Sequence, residues 1–162
     1  METIIHEYRD TDREHLICLI TSLQDYLVNL DPLHRLRRLP SFGEVYVDSL
    51  LSKINQAKGK IFLAKQSHKF LGCIVGIIKE QNDVDKVGKI PSRTGHILAL
   101  IVHENYREHG IGTILMEKME EYFKVNRCDV ARVEVFAPNV MAHRFYSGLK
   151  YGDRSLDMIK RL

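Results

Sequence analysis

The chain has 162 residues, enough for one domain with a buried core, and 44% of them are apolar, which argues against disorder. A net charge of +3 and a pI near 8.7 are too weak a footprint to argue for nucleic acid. No stretch approaches the length of a membrane span, and the start, METIIHEYRDTDRE, is too acidic and interrupted for a signal peptide, so a cytoplasmic protein is expected. Cys18, Cys73 and Cys128 form no CxxC and lie in apolar segments, which predicts buried free thiols in a reducing compartment. The histidines include no HExxH and no cluster at ligand spacing, so no metal site is expected.

In chain order, TIIHEYR (residues 3–9) has the pattern of a short strand. TDRE then offers a capping box, with Thr11 accepting from a free helix amide and Glu14 reaching back. Leu16, Leu19, Ile20, Leu23 and Leu27 recur at helical spacing to about residue 30, where Asp31 and Pro32 end the helix. The basic connection LHRLRRLPSFG leads to a second helix over about residues 44–58, with Val45, Leu50, Leu51 and Ile54 as its stripe and Gly59 as its stop. KIFLAKQ and KFLGCIVGIIKE read as a hairpin turning at Ser67 and His68. QNDVDKVGKIPSR reads as a polar loop, and TGHILALIVH as a strand buried on both faces.

A helix over about residues 110–124 follows, with Ile111, Leu115, Met119, Tyr122 and Phe123 on one side and Glu117, Glu120 and Glu121 on the other. VARVEVFA is a strand, PNVMAHRFYSGLK a short helix starting at Pro138 and Asn139, and RSLDMIKRL a last strand. The order is β-α-α-β-β-β-α-β-α-β. Strand–helix–strand over residues 95–137 implies a parallel pair, and the hairpin is antiparallel. The fold class expected is α/β, a mixed sheet flanked by helices, in a single domain over residues 1–162.

The glycines of YREHGIGTIL, residues 106–115, sit between the buried strand and a helix. A glycine turn before a helix can present outward amides to an anion, helped by the unpaired first amides and the helix dipole. It can equally be a helix start of no chemical meaning. Leu115 stands where a dinucleotide loop needs its third glycine, and Gly112 is not followed by the lysine of a P-loop. What remains is Arg107-x-x-Gly110-x-Gly112.

LALIVHENYREHGIGTILMEKMEEYFK resembles the acetyl-CoA-binding segment of the general N-acetyltransferase (GNAT) superfamily: an apolar strand, a short polar turn, then [R/Q]-x-x-G-x-[G/A] opening a helix. APNVMAHRFYSGLKYGDRSLDMIKRL is similar to the family's second half, with Asn139, Ala142 and Tyr146 at its marked positions. Together the matches cover about residues 95–162. Where the family often has glycine then phenylalanine after the tyrosine, this chain has Lys150 and Tyr151.

The resemblance implies a GNAT fold and acetyl-CoA as co-substrate, with no metal. The amides of Arg107, Glu108, His109, Gly110, Ile111, Gly112 and Thr113 would grip the pyrophosphate. The backbone of Leu100, Ile101 and Val102 would pair with the pantetheine arm, and a strand N–H would stabilise the oxyanion. Asn139 would contact the cofactor, though asparagine after proline is also a good N-cap. Tyr146 matches the general acid for the leaving thiolate; the bland alternative is ordinary packing. His96 stands where many members carry a glutamate base, and its alternative is a solvated histidine at a strand start. His103 and Glu104 are weaker candidates.

The acceptor site is implied between the first two helices and the late loops, here residues 31–43. Asp31 or Glu44 could hold an ammonium group, and Arg35, Arg37 or Arg38 a carboxylate or phosphate, against the reading of a plain basic loop. The leading expectation is an N-acetyltransferase acting on a small-molecule or peptide amine by direct attack in a ternary complex. The alternatives are a non-catalytic acyl-CoA-binding sensor and a nucleic-acid binder using HRLRRL, which the small net charge argues against. No membrane partner is expected. A single strand after the last helix leaves a sheet edge, which suggests a homodimer.

Overall fold

The computed structural model describes residues 3–162; Met1 and Glu2, the start of the domain expected over 1–162, lie outside the described residues. Five strands form one sheet in the order β1-β2-β3-β4-β5: β1 (Ile4–Glu7), β2 (Lys60–Gln66), β3 (Lys69–Lys79), β4 (Thr94–Val102) and β5 (Val130–Val133). The first four are antiparallel neighbours, and β5 runs parallel to β4. The mixed sheet and the parallel pair are as the element order implies.

Helices α1 (Arg13–Leu30) and α2 (Phe42–Gln56) cover one face, and α4 (Ile111–Val125) and α5 (Val140–Gly148) the other. On the first face Leu16, Leu19 and Ile20 of α1 and Val47 and Leu50 of α2 pack on Leu63, Cys73, Val75, Ala99 and Ile101. On the second, Leu115, Met116, Met119, Phe123 and Tyr146 pack on Phe62, Ala64, Ile74 and Ile97. Burial of both faces explains why β3 and β4 read as continuous apolar runs. Gly95 makes the second contact close: a Cβ there would lie 2.3 Å from the Phe123 ring.

Several local readings change. Residues 151–162 form no strand, so the expected sixth strand is absent and the outer edge of β5 stays unpaired among the described residues. That segment is pinned elsewhere, by Arg161 Nη2 donating to Leu33 O at 2.8 Å. The expected capping box of Thr11 and Glu14 does not form. A 3-10 turn, Asp10–Asp12, precedes α1, and Asp12 Oδ2 accepts from Arg9 N at 2.9 Å. α2 starts at Phe42, so its buried line is Gly43, Val47 and Leu50, and Val45 is exposed.

Lys58, at φ +46, turns the chain out of α2. Gly59 is needed instead for close approach, since a Cβ there would meet Gly76 O at 2.9 Å. The polar loop contains a short helix, α3 (Asp83–Gly88), capped by Asn82 Oδ1 accepting from Asp85 N at 2.8 Å. Cys18 is exposed rather than buried, because it lies off the core-facing line of α1. Among the described residues no helix is long and apolar enough to cross a membrane.

Candidate active site

The site is built from a fork in the sheet. β4 pairs with β3 from Thr94 to Val102, but with β5 only from Thr94↔Val130 to Ile97↔Val133. The residues expected to extend β5 to 137 leave the ladder at Val133. The cause lies in β4. Its register with β3 steps from Gly76↔Ile97 to Val75↔Ala99, so Leu98 is an extra residue. Leu98 and Ala99 consequently face the same α1–α2 core, while Ile97 and Leu100 face the other. Such a bulge bends its strand and ends pairing on the far side.

Beyond the bulge one edge of β4 is open. His103 N donates to Leu71 O at 2.7 Å, so alternation along the strand turns Ile101 toward β3 and the amides of Leu100 and Val102 toward the fork. Of the three strand residues singled out in the sequence, Ile101 is therefore committed to its Cys73 pairing and to the core. The other two present polar backbone to the opening.

The glycine turn lies at the end of the same strand. Gly110 is at φ +76, a left-handed conformation that favours glycine, and a Cβ there would meet nothing within 4 Å. Gly112 serves a different end: a Cβ would come within 3.2 Å of Phe145 Cζ, so the residue brings α4 close to α5. No side chain caps α4, and its first turn holds no acidic residue. That leaves a helix N-terminus suited to an anion. Arg107 N already donates to Glu104 O at 3.3 Å, so the amides open to a ligand start at Glu108, itself left-handed at φ +64. The Arg107 guanidinium lies 4.9 Å from the Tyr26 ring centre, with Nε donating to Val102 O at 3.2 Å. His109 Nδ1 lies 2.6 Å from Arg107 O, which closes the turn.

Two titratable side chains lie on opposite faces of the sheet. Tyr146 belongs to the same α4–α5 core as Ile97, the last residue of β4 that pairs with β5. Its ring is edge-on to Phe145 and Tyr151, and burial pushes its phenol up to about 12. The alternation of β4 puts His96 on the α1–α2 side. It is buried, its Nδ1 takes no hydrogen bond from the described residues, and its Nε2 is 3.7 Å from Glu134 Oε1. Burial, followed by the charge of Lys79, holds His96 below the ordinary histidine value; Glu134 pulls the other way and Arg132 and Lys53 add to the lowering. A buried histidine held neutral can accept a proton.

Asn139 is an N-cap, its Oδ1 accepting from Ala142 N at 3.1 Å, and this leaves its amide group to donate elsewhere. Lys150, in the place of the family's glycine, adopts φ +70 and lets Tyr151 N close on Tyr146 O at 3.1 Å. Tyr151 Oη donates to Glu120 Oε1 at 2.8 Å.

The loop between α1 and α2 corrects one expectation. The Asp31 carboxylate accepts from the backbone of Leu33, Arg35 and Leu36 at 3.0, 2.5 and 2.8 Å. These bonds, the Leu36 amide foremost, hold its pKa below the ordinary carboxylate value. Asp31 is buried and three of its acceptor positions are taken by backbone amides of its own loop, so its visible work is to shape that loop. Glu44 is exposed on α2. His103 accepts from Asn105 N and caps the 3-10 turn Glu104–Tyr106, which places His103 and Glu104 in a structural turn. Glu134 was not singled out from sequence; its one signal is a charge inside the apolar run VARVEVFA. Among the described residues no cluster of three or more His, Cys, Asp or Glu could hold a metal.

A sequence model described as the acetyltransferase (GNAT) family matches residues 27–151. A curated relative, an uncharacterized N-acetyltransferase of Methanocaldococcus jannaschii, is 39% identical over 71 residues, 43% of this chain and 46% of that protein. The match thus spans about half of the relative's length. The structure of a tetramutant of the BH1408 protein from Bacillus halodurans is similar with a TM-score of 0.84, at 20% identity, over 98% of this chain and 99% of that one. The structure of AAC(6')-Iy in complex with the bisubstrate analogue CoA-S-monomethyl-acetylneamine gives a TM-score of 0.69, at 16% identity, over 100% of both chains. At these identities the two structures establish likeness of fold.

Proposed function

The chain belongs to the acetyltransferase (GNAT) family, and from that premise we propose that it moves the acetyl group of acetyl-CoA to a primary amine by direct attack in a ternary complex. The observation that carries the reading is the fork. A bulge at Leu98 frees the edge of β4 beside an uncapped helix N-terminus, with His96 and Tyr146 on its two faces. We treat the whole chain as one domain.

The residues fit a CoA thioester. The amides from Glu108 to Thr113, on a turn opened by Gly110, bind the pyrophosphate. Leu100 and Val102 offer backbone to an extended, amide-bearing arm, and the Asn139 amide group donates to it. Bound there, acetyl-CoA supplies an electrophilic thioester carbonyl. His96, neutral and buried, takes a proton from the incoming ammonium directly or through water. A β4 amide at the fork steadies the charge on the carbonyl oxygen. Tyr146, protonated at neutral pH, gives its proton to the departing sulfur. Cys73 does not serve this path: burial raises its thiol to about 12, which keeps it inert as a nucleophile.

The deciding experiment is thiol release from acetyl-CoA across amino acids, polyamines, aminoglycosides and peptide N-termini, with CoA binding followed by calorimetry. Turnover of an amine supports the reading. Tight CoA binding with no turnover on any amine replaces it with a sensor that binds acyl-CoA.

A further inference from the structure

The proposed transfer leaves a cavity at the start of α2 unused. Phe42, Tyr46, Ser49 and Lys53 recur at helical spacing and form one flank of α2, at right angles to its buried line of Gly43, Val47 and Leu50. Asp48, on the opposite flank, is tied to Arg13 of α1 at 2.7 Å, so the Phe42–Lys53 flank points away from α1. Lys53, at the lower end of that flank, is one of the charges acting on His96. Ala57, just past α2, accepts from Ile78 N at 3.0 Å beside the Ile77↔His96 pair, so the flank rises from the His96 end of the sheet.

Its upper part lines a cavity of about 400 Å³ with Arg37, Leu39 and Val45. The Phe42 and Tyr46 rings stack there, 5.2 Å between centres and 24° between planes. Val45 and Leu39 keep 64% and 50% of their surface open. The floor is apolar and aromatic, and no acidic side chain lines it. Arg38 is held by Asp25 through two hydrogen bonds, at 2.7 and 3.3 Å. Arg37 gives its carbonyl to Gln24 Nε2, and its guanidinium forms no ion pair among the described residues. A guanidinium at the rim of an apolar cavity suits a carboxylate or a phosphate.

Resting on the transferase reading, we infer that this cavity selects the acceptor: an amine whose aromatic or branched apolar group packs on Phe42 and Tyr46 and whose anionic group, carboxylate or phosphate, pairs with Arg37. A polycationic acceptor finds no counter-charge there and meets Arg37 instead.

The test compares thiol release with phenylalanine and O-phosphotyramine (aromatic anions), phenethylamine (ring without anion), glycine (anion without ring) and spermidine. One of the aromatic anions is expected to exceed the other three in kcat/KM by at least about tenfold. Arg37→Gln removes its advantage over phenethylamine, and Tyr46→Ala its advantage over glycine. Equal or better turnover of spermidine or glycine overturns the inference and leaves the transferase standing, as does an Arg37→Gln variant with unchanged ratios. Calorimetric titration of the two aromatic anions into CoA-saturated protein separates the other failure. Binding lost in Arg37→Gln, with no turnover in the wild type, overturns the transferase reading and keeps the pocket. Neither binding nor turnover overturns both.

Discussion

His96 Nε2 on β4 stands 3.7 Å from Oε1 of Glu134, the first residue past β5, at the point where the two strands part. If His96 is the base, the rate falls as acid protonates it. Burial holds its pKa under 6.5, so the acid limb of kcat/KM lies below that pH. Glu134 is the one charge that raises it, and Glu134→Gln should move the limb to lower pH. Lys79→Met removes a lowering charge and should move it up. A limb unmoved by both changes belongs to another group.

Tyr146→Phe should lower kcat by roughly a hundred- to ten-thousandfold, the usual range for a general acid. Since Tyr146 Oη has no hydrogen-bond partner among the described residues, the variant's melting temperature should stay close to wild type. With the phenol at about 12, the wild-type profile should show no alkaline fall from this group across the usual assay range. Full turnover in the variant would remove the acid role.

Gly110→Asp puts a carboxylate into open space at the helix N-terminus. Asp is a favoured N-cap and tolerates the left-handed region better than most residues, which limits the loss of stability. The carboxylate repels a pyrophosphate, so Kd for CoA should rise at least about tenfold, most steeply at low salt. Unchanged affinity by calorimetry would move the pyrophosphate elsewhere.

Gly95→Ala should destabilise the protein by about 1–3 kcal/mol through overpacking, since the new Cβ would sit 2.3 Å from the Phe123 ring. Phe123→Leu in the same chain should recover part of the loss, read as a coupling energy in a double-mutant cycle. Strictly additive losses would show that the two sites do not touch.

Lys150→Gly should stabilise the protein by about 1 kcal/mol, because Lys150 holds a left-handed φ of +70. For a chain of this size that raises the melting temperature by roughly 2–4 °C. A fall in melting temperature would show that Lys150 makes a compensating contact.

Much of the architecture was legible because it rests on local pattern. The apolar periods of Leu16, Leu19 and Ile20, or of Leu115 and Met119, fix which side of each helix is buried whatever the partner. The parallel β4–β5 pair follows from a helix-length crossover. The readings that failed depended on contacts made at a distance. The 154–162 segment reads as a strand, yet Arg161 is drawn to Leu33, and no ladder forms on β5. Gly59 was read as a helix stop, when the approach of β3 is what excludes a side chain there.

The sequence by itself pointed to the family, through the resemblance over about residues 95–162, and it marked a glycine turn before an amphipathic helix, which is a local property of the backbone. It also marked Tyr146 and His96 as groups of suitable chemistry. Only the tertiary structure decided that these two stand on opposite faces of the sheet. It also brought Glu134 beside His96, and it left Arg37 rather than Arg38 without an ion pair at an apolar cavity. Those relations depend on where a bulge bends β4 and how α2 lies across the sheet. Both arise from packing between segments far apart in the chain, which no short stretch of residues records.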